Sequence, residues 1–228
     1  MSEKMKNHPA LIFDMNGVIV DDMKYHINAW CRFAAGHGIF LTEEEFEQRL
    51  IGRTNLETIR ALFNQSLTAE ECEQLARAKE SCYRDSYGPH RELLPGLKEF
   101  LENCASANFC VALGTAAPRE NVGFLLDYLE IRKYFSVVVD AEDVSRGKPD
   151  PEIFLTAAMK LGVSPEKCIV FEDSSSGIEA AKRAGMKVVG VTTSGRPRDT
   201  IAADFTISNF VGTELTELLE QFGFANQC

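Results

Sequence analysis

Four places in this chain set reactive side chains directly after short apolar runs. Asp14 follows Ala10-Leu11-Ile12-Phe13, with Gly17 three residues on, and Gly114-Thr115 follows Phe109–Leu113. Lys148-Pro149 lies beyond Phe135–Val139, and Glu172-Asp173 closes Cys168–Phe171. A carboxylate delivered by a buried strand to a sheet edge can act as a nucleophile or a metal ligand. Gly17 allows the turn that must come next, because it lacks the Cβ that restricts other residues. Thr115 brings a hydroxyl suited to a phosphate oxygen. Lys148 brings a charge for a phosphoryl group, and Pro149 stiffens its approach. Glu172 and Asp173, joined by Asp14, make a hard-cation site of the kind Mg²⁺ occupies. Each has a plainer role if taken alone: a turn threonine, a surface Lys-Pro, a Glu-Asp pair capping the helix that Ser174-Ser175-Ser176 opens. Their shared position after strands makes them one constellation.

The elements that must hold them follow from periodicity. From Leu93 onward, apolar runs alternate with amphipathic segments. The strands expected are Phe109–Leu113, Phe135–Val139, Cys168–Phe171, Val188–Val191 and a weaker Phe205–Ile207. Helices are expected over Pro95–Leu101, Asn121–Leu129, Ile153–Leu161 and Gly177–Ala184. That alternation predicts an α/β fold, a Rossmann-like doubly wound parallel sheet, with ligands beyond the carboxyl ends of its strands. Ala10–Phe13 belongs to the same sheet but is separated from it by residues 22–90, which read as helix throughout. Met23, Ile27, Trp30, Phe33 and Ala34 recur at helical spacing, and Thr42-x-x-Glu45 and Thr68-x-x-Glu71 are capping-box patterns. The chain therefore divides into a discontinuous core, 1–21 and 91–228, and an inserted all-helical domain, 22–90.

Composition narrows the partners. The net charge is −10 without a long basic run, which disfavours nucleic acid, although local cations and a metal can still receive a small anion. No apolar run approaches the ~20 residues that span a bilayer, and Met1 to His8 lacks the apolar stretch of a signal peptide. Seven cysteines without a C-x-x-C pair read as reduced thiols, which disfavours zinc and points to a cytoplasmic protein. A small anion therefore remains an admissible partner of what is expected to be a monomer.

The chain resembles the haloacid dehalogenase superfamily, in its branch of phosphatases containing β-phosphoglucomutase, over nearly its whole length. Asp14 matches motif I, Thr115 motif II, Lys148 in Gly-Lys-Pro-Asp-Pro-Glu-Ile-Phe motif III, and Glu172-Asp173 motif IV. The stretch Phe171-Glu172-Asp173-Ser174-Ser175-Ser176-Gly177-Ile178 is the most specific part. The resemblance implies that the helical insertion, 22–90, is a cap domain on a Rossmann-like core, and it implies an aspartyl-phosphate on Asp14. It further implies Mg²⁺ held by Asp14, Asp173, the main-chain carbonyl of Asn16 and, as a further candidate, Glu172. Motif I normally reads Asp-x-Asp-Gly, and its second Asp exchanges a proton with the leaving group. Here Asn16 stands in that place and cannot do so. Asn16 leaves three accounts open: an engineered substitution, a natural residue in an enzyme whose leaving group departs unprotonated, or a non-catalytic relative that binds a phosphorylated ligand.

The resemblance also names substrate contacts. His26 matches the mutase and Lys79 is placed with it, while Ala116, beside Thr115, joins them as a candidate. The mutase's Lys-Gly-x-x-Arg clamp reads Ile51-Gly52-Arg53-Thr54-Asn55 here, so only Arg53 supplies a guanidinium nearby. Asp22 replaces a small hydroxyl residue. A weakened second clamp favours simple hydrolysis, with a mutase as the alternative. The plainer readings are a solvated Arg53 and a His26 packed against Trp30.

Overall fold

A computed structural model describes residues 9–50, 53–63, 66–194 and 199–224. Six strands form one sheet: β1 Ala10–Phe13, β2 Cys110–Gly114, β3 Val137–Val139, β4 Cys168–Glu172, β5 Lys187–Val191 and β6 Phe205–Ile207. Their order is β3-β2-β1-β4-β5-β6, and every neighbouring pair is parallel. β1 lies between β2 and β4, with Phe13 opposite Leu113 on one side and Phe171 on the other. The strand order reverses at this point, which is where doubly wound sheets bind ligands.

β1 is an unbroken apolar run because both of its faces are covered. Ala10 and Ile12 join a core cluster with helices α7 (Glu152–Leu161) and α8 (Ser175–Arg183). Phe13 packs the other way. It stacks on Phe171 at 4.4 Å and meets Phe100, from α5 (Leu97–Ser106), and Phe210 edge-on or tilted. The alternation of β1 thus anchors helices on both sides of the sheet and fixes where the strand delivers Asp14.

The structure moves some expected boundaries. β2 begins at Cys110 because the Phe109 amide closes the preceding turn on the Cys104 carbonyl, with Asn108 at φ 58°. β3 begins at Val137, since Phe135 still bonds back to Arg132 in a short 3₁₀ turn. The helix expected over Asn121–Leu129 is α6, Arg119–Leu126.

By contact, the chain divides into two compact units, Met1–Asp21 with Glu92–Cys228, and Asp22–Arg91. The second contains α1 (Met23–Gly36), α2 (Glu43–Arg49), α3 (Asn55–Phe63) and α4 (Ala69–Tyr87), and no strand among the described residues. Both expected capping boxes form, at Thr42–Glu45 and Thr68–Glu71. Thr54 and Glu57 make the same reciprocal bonds at the start of α3. A cluster of Ile27, Trp30, Phe33, Phe46, Leu50, Ile59 and Cys72 packs this unit. The six cysteines described, Cys31, Cys72, Cys82, Cys104, Cys110 and Cys168, are free; Cys228 lies outside the described residues.

Candidate active site

The site is built from backbone turns at the carboxyl ends of β1, β2 and β4, together with Lys148 from the loop beyond β3. The Asp14 amide still bonds to the Phe171 carbonyl at 3.0 Å, so the nucleophile candidate is held as firmly as the strand before it. The chain then winds onto itself. The Met15 carbonyl accepts the Ile19 amide at 2.8 Å, and the Gly17 amide reaches the Val20 carbonyl at 2.7 Å. Gly17 has φ 76°, and a Cβ there would lie 2.2 Å from Asp173 Oδ2. Only glycine meets both the turn and the carboxylate.

Asp14, Glu172 and Asp173 are all buried, and one oxygen from each lies within 4.8 Å of the others. Opposite ligands of an octahedral Mg²⁺ stand about 4.2 Å apart, so the three carboxylates have the reach to share one such ion. Lys148 Nζ donates to Asp14 Oδ1 at 2.7 Å and to Glu172 Oε1 at 2.5 Å. Glu172 Oε2 accepts the Ser174 amide at 2.7 Å and its hydroxyl at 2.9 Å. Ser174 in turn caps α8 by accepting the Gly177 amide. The residue that caps α8 thus also orients the Glu172 carboxylate. Thr115 is buried after β2. Its amide bonds to the Val139 carbonyl and its Oγ1 accepts the Ala117 amide at 3.2 Å, which leaves the hydroxyl proton to donate.

Charge in this pocket is unbalanced. Burial raises the Asp14 pKa, Lys148 pulls it back and Glu172 pushes it up again, for a value of about 6. Burial alone would lower Lys148, but Asp14 and Glu172 outweigh it and hold the ammonium well above its ordinary range. Three buried carboxylates face one ammonium, a deficit that a divalent cation makes good.

A family model described as haloacid dehalogenase-like hydrolase matches residues 8–185. The chain belongs to that family. Among its relatives is a phosphorylated carbohydrates phosphatase of Thermotoga maritima, 38% identical over 186 residues, covering 80% of this chain and 84% of that protein. The β-phosphoglucomutase of Bacillus subtilis is 34% identical over 220 residues, 93% of this chain and 95% of that one. A crystal structure of β-phosphoglucomutase from Clostridium difficile superposes with a TM-score of 0.83 at 30% identity, covering 95% and 97% of the two chains. Among the described residues, no helix is long and apolar enough to cross a membrane.

The structure brings Asp14, Lys148, Glu172 and Asp173 together and sets Thr115 at the end of the adjacent β2; Asn16 lies in the same turn as Gly17, bridged to Val20. Ala116 is exposed beside Thr115. In the helical unit, the expected substrate contact Lys79 is buried. Its ammonium points inward, bonding Glu80 Oε1 at 2.9 Å and His26 Nδ1 at 3.0 Å, and lies 5.0 Å from the Trp30 ring centre. His26 stacks on Tyr83 at 3.8 Å. Its Nε2 lies 3.5 Å from Asp22, whose carboxylate also accepts the Tyr83 hydroxyl. Arg53 is exposed, and Ile51 and Gly52 lie outside the described residues. Sequence reasoning missed Thr193, whose hydroxyl donates to the Gly17 carbonyl from 176 residues away. No local pattern marks it.

Proposed function

We propose that this hydrolase is a Mg²⁺-dependent phosphatase of a small phosphorylated metabolite, working through a phosphoryl group carried on Asp14 and slowed by Asn16. The contact between Lys148 and both Asp14 and Glu172 carries the reading, because it puts a charge for phosphoryl oxygens directly on the nucleophile. Asp14, Asp173, the Asn16 carbonyl and Glu172 would hold the ion, which supplies charge neutralisation at the non-bridging oxygens. Asp14 attacks phosphorus as the bond to the leaving oxygen breaks. Lys148 and the Thr115 hydroxyl hold the phosphoryl group in line. Water then attacks phosphorus of this acyl phosphate, the bond to the Asp14 oxygen breaks, and inorganic phosphate leaves with the Asp14 carboxylate regenerated. Asn16 supplies no proton to the departing oxygen and takes none from the water. That help is typically worth ~10²–10⁴ in rate.

The helical unit serves as the cap in this reading, giving His26, Arg53 and, through His26, Lys79 to substrate recognition. The phosphorylated carbohydrates phosphatase among the relatives favours a sugar-phosphate-like substrate. The near-full-length match to a β-phosphoglucomutase favours a phosphomutase as the second reading. Phosphate release against isomer formation separates the two. Asn16→Asp should raise turnover of a sugar phosphate by ~10²-fold or more in Mg²⁺, and acyl phosphates should gain less. A variant that stays inert on a broad phosphoester panel would sink the enzyme reading in favour of a binding protein.

A further inference from the structure

Gly177 is a glycine that its own backbone does not require. It lies in ordinary helical conformation inside α8, where glycine costs roughly 0.5–1 kcal/mol relative to alanine. What it gives in return is space. A Cβ at this position would stand 1.8 Å from Glu172 Oε1, 2.0 Å from the carboxyl carbon and 2.6 Å from Oε2. No atoms pack that closely, so a methyl group would displace the whole carboxylate. Glu172 has little freedom to yield. It is fully buried, with Oε1 committed to Lys148 and Oε2 to the amide and hydroxyl of Ser174. Movement of the carboxylate would therefore release Lys148 from one of its two acceptors and shift its hold on Asp14.

We infer that Gly177 is a positioning residue of the phosphoryl site: its missing side chain is the seat of the Glu172 carboxylate, and through Glu172 it sets Lys148 against Asp14. The inference rests on the phosphoryl reading given above. A parallel arrangement supports it, since Gly17 leaves the same kind of room for Asp173. Each of the two neighbouring carboxylates at the carboxyl end of β4 is thus backed by a glycine from a different segment.

The test measures orthovanadate binding by calorimetry in saturating Mg²⁺. Gly177→Ala should weaken binding about 10-fold or more, because small displacements of positioned groups are costly. In a Glu172→Asp background the carboxylate is one methylene shorter and the methyl finds room. There, adding Gly177→Ala should change affinity by less than about twofold, the non-additivity of residues in contact. Equal losses in both backgrounds, or parental affinity in Gly177→Ala, would overturn the inference. Should Gly177→Ala fail to fold, the double variant should recover a cooperative thermal transition, and its failure to do so would count as refutation. A parent protein that binds no vanadate defeats the phosphoryl reading instead. Gly177 is then judged by the crystal structure of Gly177→Ala, where an unmoved Glu172–Lys148 contact rules it out.

Discussion

Each compact unit buries a lysine, and the two lysines respond in opposite directions. Lys148 in the sheet unit touches two carboxylates, Asp14 at 2.7 Å and Glu172 at 2.5 Å, and is held above its ordinary pKa. Lys79 in the helical unit has one carboxylate at 2.9 Å and an imidazole at 3.0 Å, and burial pushes it below. Desolvation is the largest influence on both. Glu80 in direct contact, with Asp22 adding to it, does not offset it at Lys79, whereas two carboxylates in direct contact do at Lys148. Glu80 fares better than its partner. Burial opposes its ionisation, but Lys79, His26 and the Asn55 amide outweigh that and bring it to about 2. The pocket around Lys148 is built with surplus negative charge, as a cation site must be. The cluster around Lys79 comes closer to internal balance, as a packing element must.

The strongest way to break this contrast is Lys148→Met. It should abolish turnover and, without metal, cost about 3–5 kcal/mol in urea unfolding, because two buried carboxylates lose their cation. Added Mg²⁺ should restore much of that stability but none of the activity. A variant of parental stability would show that the carboxylates need no partner. Lys79→Met should cost less, about 1–3 kcal/mol, since it leaves Glu80 with the Asn55 amide and removes an ammonium that burial disfavours. Combining it with Glu80→Leu should bring stability back to within about 1 kcal/mol of the parent, as apolar replacement of buried pairs often does. The comparison fails if Lys79→Met is as damaging as Lys148→Met.

The smallest effect expected concerns pH. Asp14 has its pKa raised from 3.8 to about 6, so in the metal-free protein its protonated form is favoured on folding. That contribution is fully present below the unfolded pKa near 4 and is lost as pH rises through about 6. Metal needs the carboxylate, so the sign reverses for binding. Mn²⁺ affinity should be level above pH 6 and fall by up to about tenfold between pH 6 and 5, the signature of one competing proton. Calorimetric titrations at both pH values would show it. Affinity that does not change across this range would separate Asp14 from the metal.

Much of this was legible in the chain because local signals and burial agreed. The runs Ala10–Phe13 and Cys168–Phe171 are apolar on both faces, and strands of that kind end where ligands bind. Two capping boxes were readable from Thr-x-x-Glu, and the third, Thr54–Glu57, carried the same signal unread. Strand edges slipped by a residue or two where a left-handed Asn108 or a 3₁₀ turn consumed amides that periodicity assigns to strands. The inward turn of Lys79 was not legible. Helical spacing gives the face a side chain leaves from, not whether a long flexible one bends to an acceptor on its own helix. The seat of Glu172 against Gly177 and the bond from Thr193 to Gly17 depend on tertiary placement, which no local pattern encodes.

The central place of β1 also bears on how the chain comes to be folded. Ala10 pairs with Cys110 and Cys168, 100 and 158 residues further on. The segment that carries Asp14 is the first of these six strands to leave the ribosome and waits longest for both its neighbours. Until then its four apolar residues and two open edges have no place to go, which is the condition under which nascent chains associate with one another. The helices that follow immediately form through contacts close in sequence and are fast by comparison. Acquisition of the active site is therefore tied to late, long-range closure of the sheet, and a truncated chain ending before β4 would be left with Asp14 and no opposing carboxylate.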